Sequence, residues 1–448
     1  MNILLTMAYT NSMDDGTPPN GILVLASIVE KFHNLKVIFP FELADFLNAK
    51  SNLNGIDLIG FSVNSFNWIV TKTQIEYISK QFPNIIIVLG GPHATTMHKY
   101  CLEESNAHVV VRGEGEITFL ELINVINNNE DFSKVLGITY KNNNSIIVNN
   151  NRNLLSNVEL NNLPIPAYHL IPPNKYEYIP LETSRGCRFQ CTFCAIPFDG
   201  VRYFSYDKII ANFNAIKKFS NKFSQKALFI TDDSFTSNKT HCENVINLLA
   251  KSDFKVGCEA RISEIIKNEL VDSFELLDFY MLQVGVECGY DEGLKNVKKG
   301  LSISKVAEFI NLVAEKKFSR KIFWSFIIGF PWEDETDILN TINFAFECSY
   351  STYTELPPQV NNFAPYPGTE ILANYDKYNN LSIKNDFWSN EKWSQVFLGQ
   401  TKILKQNRNV IQKYLLERVK KHPSIILDDK IRFPDGKVVE MKNIFEYI

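Results

Sequence analysis

The chain has 448 residues, a formal net charge of −4, 45% hydrophobic residues and 21% charged residues, which suits a globular protein of two or three domains with a sizeable core. The slightly acidic balance excludes the electrostatic footprint of a nucleic-acid binder. No apolar run reaches the ~18 residues of a membrane span, and Met1-Asn2-Ile3-Leu4-Leu5 has no basic stretch ahead of it, so the start reads as a strand rather than a signal peptide and the expected location is the cytoplasm.

Through about residue 130 the sequence repeats one unit. Strand-like apolar runs fall at Ile3–Ala8, Leu35–Phe39, Asp57–Val63, Asn84–Gly90 and His108–Val111. Helix-length amphipathic stretches such as Gly21–Phe32, Thr71–Gln81 and Glu116–Asn127 lie between most of them. Continuous apolar strands alternating with helices predict a doubly wound parallel sheet, buried on both faces. Ligands of such sheets bind beyond the carboxyl ends of the strands. Those ends carry Ser62-Val63-Asn64-Ser65, Gly90-Gly91-Pro92-His93 and Arg112-Gly113-Glu114-Gly115-Glu116. A nicotinamide or flavin dinucleotide is disfavoured, because Tyr9-Thr10-Asn11-Ser12 after the first strand does not open a Gly-x-Gly-x-x-Gly turn.

Residues 141–177 read as a linker, rich in Asn and Pro, with a small hairpin of Val135–Tyr140 and Ser145–Val148 at its start. From Tyr178 the alternation restarts. Strands are predicted at Tyr178–Thr183, Ala227–Thr231, Lys255–Glu259, Met281–Glu287, Lys321–Ile328 and Gln359–Phe363. Helices are predicted at Tyr206–Phe219, Lys239–Lys251, Ile262–Phe274, Ser304–Lys316 and Glu335–Cys348. Repeated β/α units predict an open, shortened barrel whose reactive groups sit on the loops after the strands. The expected division is 1–140, 141–177, 178–375 and a terminal region 376–448. That last region carries Phe387, Trp388, Trp393 and Phe397 and a basic stretch from Arg408 to Lys421, which could cover the barrel mouth or simply pack as core.

Five cysteines, Cys101, Cys242, Cys258, Cys288 and Cys348, stand alone and read as buried apolar side chains. Cys187, Cys191 and Cys194 cluster just after the first barrel strand. Thiolates bind iron–sulfur clusters and zinc. A closed zinc site takes four protein ligands, whereas no fourth Cys lies near and neither His169 nor His241 has a ligand-like spacing. A 4Fe–4S cluster with one open iron accounts for the missing ligand better.

The run Cys187-Arg188-Phe189-Gln190-Cys191-Thr192-Phe193-Cys194, preceded by Ser184-Arg185-Gly186, resembles the signature of the radical S-adenosylmethionine superfamily. Arg188 stands where that family often has Pro. The resemblance continues strand end by strand end through Thr231-Asp232-Asp233-Ser234, Cys258-Glu259-Ala260-Arg261, Gly285-Val286-Glu287-Cys288-Gly289, Gly329-Phe330-Pro331 and Ala364-Pro365-Tyr366-Pro367-Gly368. It implies that Cys187, Cys191 and Cys194 hold the cluster and that its open iron chelates S-adenosylmethionine. Phe193, Asp232, Arg261, Glu287 and Gly329 are then the expected cofactor-site residues. Arg261 is suited to a paired contact with a carboxylate, and Glu287 to a ribose or an ammonium.

In the first half, Pro18-Pro19-Asn20-Gly21, Ile59-Gly60-Phe61-Ser62, Gly90-Gly91-Pro92-His93 and Gly113-Glu114-Gly115-Glu116 resemble the cobalamin-binding domain that precedes many radical S-adenosylmethionine enzymes. Ser62, Gly90, Gly91, His93, Gly113 and Glu114 are the cobalamin-side residues this implies. The Asp-x-His-x-x-Gly loop that supplies a lower cobalt ligand in many cobalamin proteins is absent.

Together these resemblances imply a flavodoxin-like cobalamin domain, a partial (β/α)6 barrel and a cobalamin-dependent methyltransferase acting on an unactivated carbon of a peptide, lipid or natural-product precursor. An external one-electron reductant of the flavodoxin or ferredoxin type is implied as partner. Radical cyclisation or rearrangement without methyl transfer is the second reading, and a non-catalytic iron–sulfur redox or sensor protein the third.

Overall fold

The computed structural model describes residues 1–9, 16–143, 145–196, 200–223, 225–355, 357–374 and 377, with strand backbone at 430–432 and 438–440. The first sheet is built from β1 (Asn2–Thr6), β2 (Asn34–Ile38), β3 (Leu58–Ser62), β4 (Ile86–Gly90), β5 (Val109–Val111), β6 (Ile138–Asn142) and β7 (Ser145–Val148). Its spatial order is β2-β1-β3-β4-β5-β6-β7. β1 to β5 are parallel in the flavodoxin-like order, whose direction reverses between β1 and β3.

Successive side chains point to opposite faces of a strand, and here both faces are apolar. Ile3, Leu5 and Leu58 pack with Ile22, Val29, Phe119 and Leu122 of the helices Asn20–Val29 and Gly115–Asn127. Leu4, Ile59 and Phe61 pack the other way, with Leu43 of Pro40–Asn48 and Trp68 and Ile75 of Trp68–Gln81. Covering both faces leaves the carboxyl ends of the strands as the accessible edge.

The hairpin at the predicted linker corrects the sequence reading. β6 pairs antiparallel with β5, and β7 with β6, so the first sheet continues through Val148, past the expected boundary at 140.

The second sheet contains β8 (Ile179–Leu181), β11 (Ala227–Ile230), β12 (Lys255–Ala260), β13 (Phe279–Glu287), β14 (Ile322–Ile328) and β15 (Gln359–Asn362), while β9 (Ser184–Arg185) and β10 (Arg202–Tyr203) form a separate antiparallel ribbon that brackets the cysteine run. The order is β15-β14-β13-β12-β11-β8, parallel throughout. β8 and β15 are edge strands, so this is a partial barrel. Val256 and Cys258 of β12 are fully buried against the outer helices. The alternating residues Gly257 and Glu259 therefore face the inside of the curve, with Gln283 in register beside Glu259.

One predicted helix is broken in two. Ile262–Lys267 and Val271–Phe274 are separate, because Glu269 adopts a φ of +53° and the Leu270 N–H closes on the Ile265 carbonyl at 3.0 Å. Leu23 and Phe39 of the first half belong to the same apolar core as the barrel. Among the described residues, no helix is long and apolar enough to cross a membrane. The expectations for Phe387, Trp388, Trp393, Phe397 and the stretch Arg408 to Lys421 lie outside the described residues.

Candidate active site

The cysteine run leaves β9 and is fixed at several points before the chain returns along β10. The Thr192 N–H donates to the Val297 carbonyl at 3.2 Å, the Cys194 N–H to the Cys191 carbonyl at 3.0 Å, and the Ile371 N–H to the Thr192 carbonyl at 3.1 Å. All three thiols are free, Cys187 buried and the other two half-buried. Burial raises the Cys194 pKa, and the neighbouring Cys191 and Cys187 add to the rise. Soft donors on one short loop fit an iron–sulfur centre in chemistry. Among the described residues no three His, Cys, Asp or Glu side chains are grouped closely enough to hold a metal ion, so the three thiols share one loop without forming a ligand set.

Arg261, at the end of β12, reaches over this loop. Its Nη1 donates to Cys191 Sγ at 3.5 Å, its Nη2 to the Lys299 carbonyl, and its guanidinium lies 3.7 Å from the centre of the Phe189 ring. Glu287, expected beside the cofactor, ends β13 with a φ of +79°. Its Oε1 lies 2.6 Å from Lys299 Nζ, and both side chains are buried. The pair folds over Gly285, where an added Cβ would stand 2.5 Å from Glu287 Oε1 and 2.9 Å from Lys299 Nζ. Arg261 and Glu287 thus meet around the Lys298-Lys299 turn, next to Cys191.

Asp232 has a different place from the one expected. It is buried, and both its oxygens serve the strand before the cysteines. It accepts from the Thr183 N–H at 2.6 Å and hydroxyl at 2.5 Å, and from the Ser184 hydroxyl at 2.7 Å. Burial raises its pKa to about 7 against those hydrogen bonds. Its neighbour Asp233 accepts from the Gly186 N–H at 2.8 Å. The two aspartates therefore hold the approach to Cys187.

Gly329 follows β14 with a φ of +85°. Its N–H and that of Phe330 donate to Glu333 Oε2 at 2.5 Å and 2.9 Å, and Tyr290 donates to Oε1 at 3.1 Å. Burial lifts the Glu333 pKa to about 8. Phe330 packs 6.1 Å from Phe193, ring centre to ring centre, so the Gly329 turn and the cysteine loop touch through their aromatics. The sequence reading gave no role to Glu333, nor to Lys299, although Lys298-Lys299-Gly300 belongs to the motifs that carry the resemblance. A Glu closing the turn Gly329-Phe330-Pro331-Trp332-Glu333 was the available signal for the first.

The loops after β3, β4 and β5 adjoin one another. Gly91 has a φ of +90°, and an added Cβ would stand 2.7 Å from the Val63 carbonyl oxygen. Val63 accepts from the His93 N–H at 3.1 Å and donates to the Gly90 carbonyl at 2.8 Å. The Gly113 N–H donates to Thr95 Oγ1 at 3.0 Å. Among the described residues the backbone at two of these glycines is uncovered: a Cβ at Gly113 would meet nothing within 4 Å, and one at Gly90 only the Val111 carbonyl oxygen at 3.8 Å. With the Ser62 hydroxyl at the end of β3, such open edges at the carboxyl ends of the sheet fit a bulky ligand.

His93, expected on the cobalamin side, is buried among protein partners. It is 2% exposed, its Nδ1 lies 2.9 Å from the Ser65 hydroxyl, and it stacks on Trp68. Burial lowers its pKa to about 3, so it stays neutral in the physiological range. Glu114 is likewise engaged with protein. It accepts from the Leu155 N–H at 2.7 Å and from Arg202 at 2.8 Å and 2.9 Å, with Arg185 Nη1 at 3.3 Å.

Comparison with known families gives two matches in one chain: the B12-binding domain over residues 8–123 and the radical SAM superfamily over 181–345. This chain is a B12-binding, radical S-adenosylmethionine enzyme. The radical enzyme is 29% identical over 405 residues to an uncharacterized methyltransferase of Pyrococcus horikoshii, covering 86% of this chain and 84% of that one. It is 24% identical to the anaerobic magnesium-protoporphyrin IX monomethyl ester cyclase of Synechocystis, over 60% of this chain and 55% of that one. Among solved structures, the cobalamin-dependent S-adenosylmethionine radical enzyme OxsB, with aqua-cobalamin and S-adenosylmethionine bound, superposes with a TM-score of 0.66 at 17% identity. That match covers 98% of this chain and 64% of OxsB. The enzyme's cofactors are accordingly a 4Fe–4S cluster, S-adenosylmethionine and cobalamin.

Proposed function

We propose that this enzyme transfers a methyl group to an unactivated carbon, with Cys187, Cys191 and Cys194 as the cluster ligands. When bound, the cluster and S-adenosylmethionine supply a hydrogen-abstracting radical, and cobalamin supplies the methyl carrier. The chain's own residues bind and orient. Arg261, beside Cys191, would turn its guanidinium to the carboxylate of the cofactor. Glu287, held by Lys299, presents an acceptor to a ribose or ammonium. The Gly329 turn, fixed by Glu333, brings bare backbone close to an adenosyl group. Ser62, Gly90, Gly91 and Gly113 form the edge on which the corrin side rests. Phe193, within the cysteine loop, packs against Phe330 of the Gly329 turn.

The observation that carries the reading is the approach of the two halves. Phe66, after β3, packs 5.9 Å from Tyr366, after β15, and Thr96 Cγ2 lies 2.8 Å from the Cβ position of Gly368. The segment after β15 also touches the cysteine loop through the Ile371 N–H, and the Lys298-Lys299 turn beside it through the Lys298–Glu370 ion pair. A methyl carrier on the sheet edge and a radical source on the barrel would face one space. The methyltransferase-named relative supports methyl transfer. The cyclase relative supports the second reading, radical ring formation without methyl transfer. The electron comes from an external reductant of the flavodoxin or ferredoxin type, and the substrate is a small molecule or a peptide.

The test is anaerobic reconstitution with iron, sulfide and hydroxocobalamin, followed by reduction with S-adenosylmethionine present. Methyl transfer yields S-adenosylhomocysteine beside 5′-deoxyadenosine. The second product alone, from corrin-loaded enzyme, supports ring formation instead.

A further inference from the structure

Arg185 lies two residues before Cys187, and its guanidinium is shared between Glu182 beside it and two carboxylates of the other half of the chain. Its Nη1 is 2.6 Å from Glu116 Oε1 and 3.3 Å from Glu114 Oε1, where the loop after β5 enters the helix Gly115–Asn127, with Glu114 as its N-cap and Glu116 in its first turn. Its Nε and Nη2 hold Glu182 at 2.9 Å and 3.1 Å. Arg202, on the strand leaving the cysteine run, closes the group by a paired contact with Glu114. The side chains of Arg185, Glu114 and Glu116 are 12%, 7% and 8% exposed. A charge group this enclosed is costly to break, because losing one member strands its partners without water. Both strands that bracket the cysteine run, β9 and β10, are thus tied to one loop of the B12-binding half. On the barrel side the same segment is held by Asp232 through Thr183 and Ser184, and by Asp233 through the Gly186 N–H.

We propose that Arg185 is a positioning residue, through which the Gly113–Glu116 loop of the B12-binding half sets the backbone leading into the cluster loop. The proposal rests on the reading of Cys187, Cys191 and Cys194 as cluster ligands. Arg185 touches no reacting atom in this scheme. It fixes where Gly186 and Cys187 stand, with Glu116 as its near anchor and Glu114 shared with Arg202. The loop after β5 also adjoins the open glycine edge through the Gly113 N–H and Thr95. The backbone entering the cluster loop is therefore tied to the side that carries the corrin through the Arg185 guanidinium, and the backbone leaving it through Arg202.

The test compares Glu116→Gln with His169→Ala in the reconstituted full-length enzyme. His169, in the segment between the two matched domains, contacts Glu30 of the first half and is exposed, outside the group around Arg185. Hydrogen exchange of the amides at 184–190 is followed by mass spectrometry, with the electron paramagnetic resonance spectrum of the reduced cluster and the iron content. Glu116→Gln is expected to speed exchange at 184–190 about tenfold and to alter the cluster spectrum at unchanged iron content, while His169→Ala changes neither. Wild-type exchange and a wild-type spectrum in Glu116→Gln overturn the proposal, as does an equal response in His169→Ala. Should Glu116→Gln not fold, Arg185→Lys is measured in the same way, since it keeps the charge but loses the fork that reaches two partners at once. Iron bound by Cys187→Ala reports on the ligand reading separately: full retention there removes that reading and leaves the exchange result standing.

Discussion

Glu333 makes the stability of the enzyme depend on pH in a direction opposite to that of most carboxylates. Burial raises its pKa from 4.5 to about 8, so the folded chain keeps a proton that the unfolded chain gives up. The stabilisation is complete below the unfolded value and is lost as pH rises through the folded one. Between about pH 5 and about pH 8 the loss works out at about 3–4 kcal/mol, since each tenfold change in a proton-binding equilibrium is worth about 1.4 kcal/mol. Glu333→Gln removes the titration but keeps an oxygen for the Gly329 and Phe330 N–H groups. Anaerobic denaturant unfolding of both proteins at the two pH values gives the comparison. The wild type is expected to lose more stability than Glu333→Gln on going to the higher pH, by about the amount above. Identical pH slopes in the two proteins would refute the assignment of a buried, proton-retaining Glu333.

Gly91→Ala forces a side chain onto a φ of +90° and against the Val63 carbonyl; it is expected to destabilise by about 1–3 kcal/mol and to weaken hydroxocobalamin binding, read by thermal unfolding and by absorbance titration. Lys299→Met leaves the buried Glu287 carboxylate without its cation, which is expected to cost about 3–5 kcal/mol in urea unfolding, with partial recovery in the double variant Glu287→Gln/Lys299→Met. Arg261→Lys removes the fork that spans Cys191 and the Lys299 carbonyl; 5′-deoxyadenosine formation is expected to fall at least about tenfold at unchanged iron content.

The strand positions most legible in the sequence are continuous apolar runs ended by Gly or a polar turn. The runs at Ile3, Leu58 and Ile86 appear in the structure within two residues of the sequence reading. The isolated cysteines Cys101, Cys242, Cys258, Cys288 and Cys348 are buried, as their lack of a pattern implied. What escaped depends on partners distant in sequence. The hairpin was visible as two short strands, but its docking on β5 was not, because an antiparallel edge pairing leaves no local signal. Asp232 looked available for a cofactor until the Thr183 N–H, 49 residues earlier, took its oxygen. Glu114 and Glu116 read as part of a glycine-rich ligand loop, whereas Arg185, 71 residues from Glu114, shares their carboxylates. The break at Glu269 needed a positive φ in a residue that seldom adopts one.

The central claim is that one chain brings a corrin to an iron–sulfur radical centre. It is tested most directly by counting cobalt and iron in enzyme reconstituted anaerobically with hydroxocobalamin, iron and sulfide and then passed through gel filtration. About one cobalt and about four irons per chain are predicted, with the iron lost and the cobalt kept in Cys191→Ala. Iron retained without cobalt, or full iron in Cys191→Ala, would contradict the account.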